Sequence, residues 1–218
     1  MKRFALVLSG CGVYDGAEIH EAVLTMLAIE KAGARYQCFA PDIVQHHVLN
    51  HVTGKEMPEK RNVLVESARI ARGSIKPLSA FRATDYDALI FPGGFGAAKN
   101  LCDWAINGDS CTVNADVEHS IIGMHEAGKP IGAMCIAPVI LAKLFKGSDF
   151  TTGDDPASEA FIEKMGNKYT QTAHGEVVID KVRKLFTTPC YMLDATISQI
   201  SAGTENIVKE MLSVMDCP

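Results

Sequence analysis

Seven cysteines are scattered along the 218 residues, and one of them, Cys135, stands where a thiol can act as a nucleophile. It follows the apolar run Ile131-Gly132-Ala133-Met134 and precedes Ile136-Ala137-Pro138. A buried strand that leads at once into a helix makes a nucleophile elbow, here with Cys in place of Ser. Ala133 and Ala137 are small enough for neighbouring backbones to close on the turn. Pro138 suits a first helical turn, having no N–H to leave unpaired. Helix N–H groups and the helix dipole favour an anion there, so the thiol is expected at roughly 3.5–7.5 instead of its free value near 8.5. Cys11, Cys38, Cys102, Cys111, Cys190 and Cys217 lack this context and read as structural thiols.

A second signal is Phe91-Pro92-Gly93-Gly94-Phe95-Gly96, glycines placed directly after another strand. Glycine permits unusual backbone directions and close approach by a ligand. The N–H of Gly94, together with that of Ile136, would hold an oxyanion beside Cys135. Glu21 is the third candidate, in Gly16-Ala17-Glu18-Ile19-His20-Glu21-Ala22-Val23. Its helix carries an expected core stripe of Ile19, Ala22, Val23, Met26 and Leu27, which turns Glu21 outward as a surface acid. The apolar Leu24 and Ala28 on its own flank leave room for a second buried surface, such as a dimer contact. Glu18 reads as the partner of Asp15 in a capping box.

Metal and nucleotide chemistry find little support. His20-Glu21 and His125-Glu126 begin like the zinc motif His-Glu-x-x-His, but Leu24 and Lys129 occupy the second histidine position. His47 and His51 share a face only if their segment is helical. No phosphate loop occurs, and Gly93 to Gly96 has the wrong spacing for a dinucleotide fingerprint. The expectation is no metal and no cofactor.

The elements that must position these residues alternate between strand and helix, which implies a mostly parallel sheet covered on both faces. Strands are expected at Phe4 to Leu8, Tyr36 to Ala40, Ala88 to Phe91 and Ile131 to Met134. Three more fall at Val177 to Asp180, Lys184 to Thr188 and Ala195 to Ser198. Helices are expected from Asp15 to Lys31, ending at Gly33, from Asn114 to Ala127, ending at Gly128, from Ile136 to Phe145, and from Glu205 to Met215. Residues 43–80 are the least regular, with His46 to Val52 read as extended and Glu66 to Arg72 as a short helix ending at Gly73. Repeats and linkers are lacking, so residues 1–218 read as one domain.

Hydrophobic content of 47% with 22% charged residues is ample for a core, and the net charge of −5 argues against nucleic acid. Phe4 to Leu8 is too short for a secretory signal, and no run reaches membrane-spanning length. With scattered thiols and no Cys-x-x-Cys pair, the expected compartment is the cytoplasm.

Taken together, the Cys135 elbow, the Phe91-Pro92-Gly93-Gly94 turn and the early glutamate resemble the ThiJ/PfpI superfamily, within the class I glutamine amidotransferase-like fold. Gly16 to Glu21, Asn62 to Gly73, Phe91 to Leu101 and the elbow are most similar to the enhancing lycopene biosynthesis branch, the ElbB-type glyoxalases. That resemblance implies a flavodoxin-like α/β three-layer sandwich, usually a homodimer, and a catalytic Cys135 paired with Glu21. It implies a cofactor-independent glyoxalase acting on a small dicarbonyl, glyoxal to glycolate. Two departures stand out. Many relatives carry a histidine directly after the cysteine, where this chain has Ile136. The His174-Gly175-Glu176 run has the form of an amidotransferase triad but lies only about 40 residues past Cys135. A glutamine amidotransferase subunit, and a redox sensor or chaperone tied to isoprenoid metabolism, are the rival readings.

Overall fold

The computed structural model describes residues 1–215, so Cys217 lies outside the described residues. The chain runs β1 (Arg3–Val7), α1 (Ile19–Lys31), β2 (Arg35–Ala40), α2 (Val63–Ile70), β3 (Ile75–Pro77), β4 (Ala88–Phe91), α3 (Trp104–Asn107) and α4 (Ala115–Glu126). It continues β5 (Ile131–Met134), α5 (Pro138–Leu144), β6 (Asp149–Phe150), α6 (Pro156–Lys164), β7 (Lys168–Tyr169), β8 (Val178–Asp180), β9 (Leu185–Thr188) and α7 (Ile197–Ser213). Seven strands form one sheet in the order β3-β2-β1-β4-β5-β9-β8, and β6 pairs with β7 apart from it. Every pairing in the large sheet is parallel except β8 with β9. This is the flavodoxin-like α/β sandwich expected from the alternation of elements.

Apolar runs without alternation mark strands buried on both faces, and Phe4 to Val7, Ala88 to Phe91 and Ile131 to Met134 are buried throughout. The crossover from β1 to β2 runs one way across the sheet and that from β4 to β5 runs the other. Right-handed crossovers therefore set α1 and α4 on opposite faces. Helix α7 returns to pack against α1. The reversal of strand order falls between β1 and β4, and the carboxyl ends flanking such a switch point form the usual ligand crevice of open α/β sheets.

Several local expectations are corrected. Asp15 does not cap α1: its carboxylate accepts from the Leu49 N–H at 2.6 Å. Glu18 is itself the N-cap, accepting from the Glu21 N–H at 2.7 Å, so the capping box is absent. The buried face of α1 is Glu21, Ala22, Thr25, Met26, Ala28 and Ile29, whereas Ile19, Val23 and Leu27 are 43%, 46% and 42% exposed. Thr25 lies on the buried face with its hydroxyl 3.6 Å from the Met134 sulfur on β5, and Glu21, one turn earlier, points inward on the same face. Ala195 to Ser198 is not a strand. Thr196 and Gln199 form a reciprocal capping box that starts α7 there, eight residues before the expected helix start. His46 to Val52 forms only an isolated bridge, Leu49 to Glu56, and α2 starts at Val63 behind its cap Asn62.

Losing a Thr cap costs about 1 kcal/mol. Thr196→Ala is therefore expected to lower unfolding free energy by about that amount, read from the urea midpoint with an unchanged slope.

Candidate active site

Cys135 sits one residue past β5 with φ of +58°, a left-handed value that strains any residue bearing a Cβ. The turn is held by its own N–H, which donates to the Thr188 carbonyl at 3.0 Å and so extends the β5–β9 ladder by one bond. The N–H groups of Gly94 and Ile136 both face the sulfur. Gly93 passes so close that a Cβ there would overlap that of Cys135 and lie 2.7 Å from Glu21 Oε2 and 2.8 Å from the sulfur. Only glycine fits at that point.

Glu21 is completely buried. Its Oε2 accepts from the Gly93 N–H at 2.8 Å and its Oε1 from the Tyr191 N–H at 3.1 Å, while the carboxyl also bonds the Cys135 thiol. The outward-facing surface acid expected from helix periodicity is thus a fully buried carboxyl beside Cys135. Burial is the first cause that raises its pKa, from 4.5 to about 8, with the charge of Glu18 adding to it, against the three hydrogen bonds.

The thiol departs from expectation in the same direction. Burial, then the Glu21 charge, push Cys135 well above its ordinary value, and the N–H groups of Gly94 and Ile136 offset only part of this. The expected low-pKa thiolate is corrected: α5 begins only at Pro138, and Cys135 is buried with only a small part of its surface reaching solvent. At neutral pH Glu21 holds its proton, so its charge no longer opposes the sulfur. The two groups then form a coupled acid pair from which the first proton leaves near the Glu21 value.

His174 is exposed on the turn before β8, and no hydrogen bond described joins it or Glu176 to Cys135 or Glu21. Glu176 instead accepts from the Ala173 N–H at 2.7 Å. Two residues missed in the sequence stand at the site. Cys190, with φ of +42°, is buried within electrostatic reach of Glu21 and Cys135, and Tyr191 anchors Glu21. The available signal was position, because Pro189 ends β9, whose carboxyl end lies beside that of β5. A cleft of about 680 Å³ is lined by Phe95, Trp104, Ile106 and Phe161, and Phe95 is its link to the glycine turn. Among the described residues no group of three or more His, Cys, Asp or Glu side chains is placed to hold a metal ion.

The parallel sheet, the strained cysteine after β5 and the glutamate from α1 define the class, a domain of the amidotransferase-like fold that ThiJ/PfpI proteins share. The fold is shared at TM-score 0.67 with glyoxalase III from Candida albicans, over 100% of this chain and 98% of that one, at 15% identity. At 33% identity and TM-score 0.90, the isoprenoid biosynthesis protein with amidotransferase-like domain from Ehrlichia chaffeensis covers 97% of this chain, and 99% of that chain is matched. The human mitochondrial glutamine amidotransferase-like class 1 domain-containing protein 3 is 45% identical, over 97% of this chain and 83% of the relative. The rat mitochondrial ES1 protein homolog is 44% identical, over 97% and 84%. No protein-family model matches the chain. The chain belongs to the family of glutamine amidotransferase-like class 1 domain proteins and ES1 homologues. The mitochondrial names of these relatives overturn the cytoplasmic expectation. Scattered cysteines without a paired spacing do not distinguish one compartment from another.

Glu21 carries a sign-definite consequence for stability. Its pKa is raised on folding, so its contribution is full below about pH 4.5 and is lost as pH climbs to about 8. Wild-type unfolding free energy is expected to fall by a few kcal/mol over that window, at about 1.4 kcal/mol per pH unit. Glu21→Gln, which cannot ionise, flattens the slope in denaturation curves taken at each pH.

Proposed function

We propose that the protein is a cofactor-independent glyoxalase that converts glyoxal, or a similar small dicarbonyl, to the hydroxy acid. The observation that carries this reading is the fully buried Glu21 carboxyl hydrogen-bonded to the Cys135 thiol, with two N–H groups aimed at the same sulfur. The ionised carboxyl takes the thiol proton as sulfur bonds the aldehyde carbon. Negative charge moves from sulfur to the adjoining oxygen, within reach of the Gly94 and Ile136 N–H groups, and Glu21 passes the thiol proton on to that oxygen, which completes the hemithioacetal and frees the carboxylate. Glu21 then removes the C–H proton from the sulfur-bearing carbon, giving an enediol. Reprotonation at the neighbouring carbon leaves a thioester. Water cleaves the C–S bond, releasing glycolate and restoring the thiol. The sum is glyoxal plus water to glycolate, with no outside oxidant or reductant.

A carboxyl near pH 8 is suited to this work, because it both accepts and returns a proton close to the operating pH. Glutamine hydrolysis would need a histidine base, and His174 has no bond to the cysteine. Turnover of a dicarbonyl panel is expected to rise with pH through about 8. It is expected to vanish in Cys135→Ala, drop about 10²–10⁴-fold in Glu21→Gln, and persist in His174→Ala. Equal rates in wild type and Cys135→Ala would overturn the assignment.

We further propose a homodimer through α1. Ile19, Val23 and Leu27 lie at i, i+4 and i+8 on its exposed face, and a groove of about 310 Å³ continues that surface past Tyr36 and Ile70. A self-complementary stripe pairs with its own copy about a two-fold axis. Val23→Asp is expected to yield monomers by light scattering on a sizing column.

A further inference from the structure

Glu21 is held at both oxygens by two backbone anchors of different kinds. Gly93 is packed between β4 and Cys135. Tyr191 sits in the short 3-10 turn Cys190–Met192, entered through the positive φ of Cys190. Such a turn relaxes unless something beyond its own backbone ties it down. Its own bonds are local, Met192 N–H to Pro189 O at 3.0 Å and Leu193 N–H to Cys190 O at 3.3 Å. The side-chain tie to α1 is the Tyr191 hydroxyl, 2.8 Å from Nδ1 of His20, with ring centroids 5.8 Å apart. His20 precedes Glu21 in the first turn of α1, and its Nδ1 also lies 4.0 Å from Glu18 Oε1.

We propose that His20 and Tyr191 form a strut that keeps the Tyr191 N–H on Glu21, making His20 a positioning residue for proton transfer at Cys135. The kinetic role rests on the glyoxalase reading; the strut itself does not. The groups facing the Glu21–Cys135 pair are Glu18 from the start of α1, Gly93 and Gly94 from the turn after β4, Ile136 after β5, and Cys190 and Tyr191 from the turn after β9, while His20 reaches the pair only through Tyr191 and Glu18. Of these, the Tyr191 N–H is the one donor to Glu21 whose position depends on a side-chain tie. Without the strut the turn lifts, the carboxylate loses that donor, and the pair gives up its proton at higher pH.

The test is the pH dependence of Cys135 alkylation by iodoacetamide, read site by site by mass spectrometry, alongside glyoxal turnover. His20→Ala and Tyr191→Phe are each expected to move the midpoint upward by roughly one pH unit. The double variant moves it no further than the larger single change. His20→Asn, whose amide occupies the Nδ1 position, keeps the wild-type midpoint. A wild-type midpoint in His20→Ala, or a full shift in His20→Asn, overturns the strut. If wild type turns over no dicarbonyl, the glyoxalase reading fails alone, and the alkylation midpoints still decide the role of His20.

Discussion

A carboxyl with no exposed surface, hydrogen-bonded to a thiol, is the interaction on which the rest of the site depends. Burying an ionised carboxylate is costly unless it is paired or protonated. Here the cost is met by protonation, and by two backbone N–H groups that favour the charged form when it appears. The result is a group that stays neutral at neutral pH and ionises near about 8. The sulfur shares this environment, so neither group titrates by itself.

Holding that pair requires backbone to approach backbone. Loops after β1 and β4 lock together through Glu18 N–H to Gly93 O at 2.9 Å and Phe95 N–H to Val13 O at 2.7 Å. These bonds join the turn that presents Gly94 to the loop that leads into Glu21. The same contacts that close the switch-point crevice therefore set the distance between acid and nucleophile. The strained Cys135 and Cys190 follow closely on the paired strands β5 and β9, whose ladder fixes the chain leading into each of them.

The electrostatic outcome differs from that of a solvent-facing nucleophile elbow. Dipole and N–H contacts favour a thiolate, but they act on a sulfur removed from water and next to an acid. Desolvation is the larger effect here, and it is first among the causes for both residues. In the proposed reaction, activation falls to the carboxyl as a base rather than to a preformed anion.

The amino-acid order by itself determined the parallel sheet, because uninterrupted apolar runs such as Ala88 to Phe91 and Ile131 to Met134 have no other stable location than between two helical layers. It also marked Cys135, Gly94 and Ile136, since an elbow and a glycine turn are local patterns written in consecutive residues. What only the tertiary structure decided was the rotation of α1. Hydrophobic spacing offered two apolar arcs on that helix, and the one holding Ile19, Val23 and Leu27 was left at the surface while Glu21 turned inward. The choice depends on Thr25 meeting Met134 and on Gly93 and Tyr191 offering donors, residues from separate strands and turns. Resemblance to a family pointed to Glu21 where periodicity did not. Cys190, Tyr191 and His20 stayed hidden for the same reason, because their partners lie about 170 residues apart and meet only when β9 is laid beside β5.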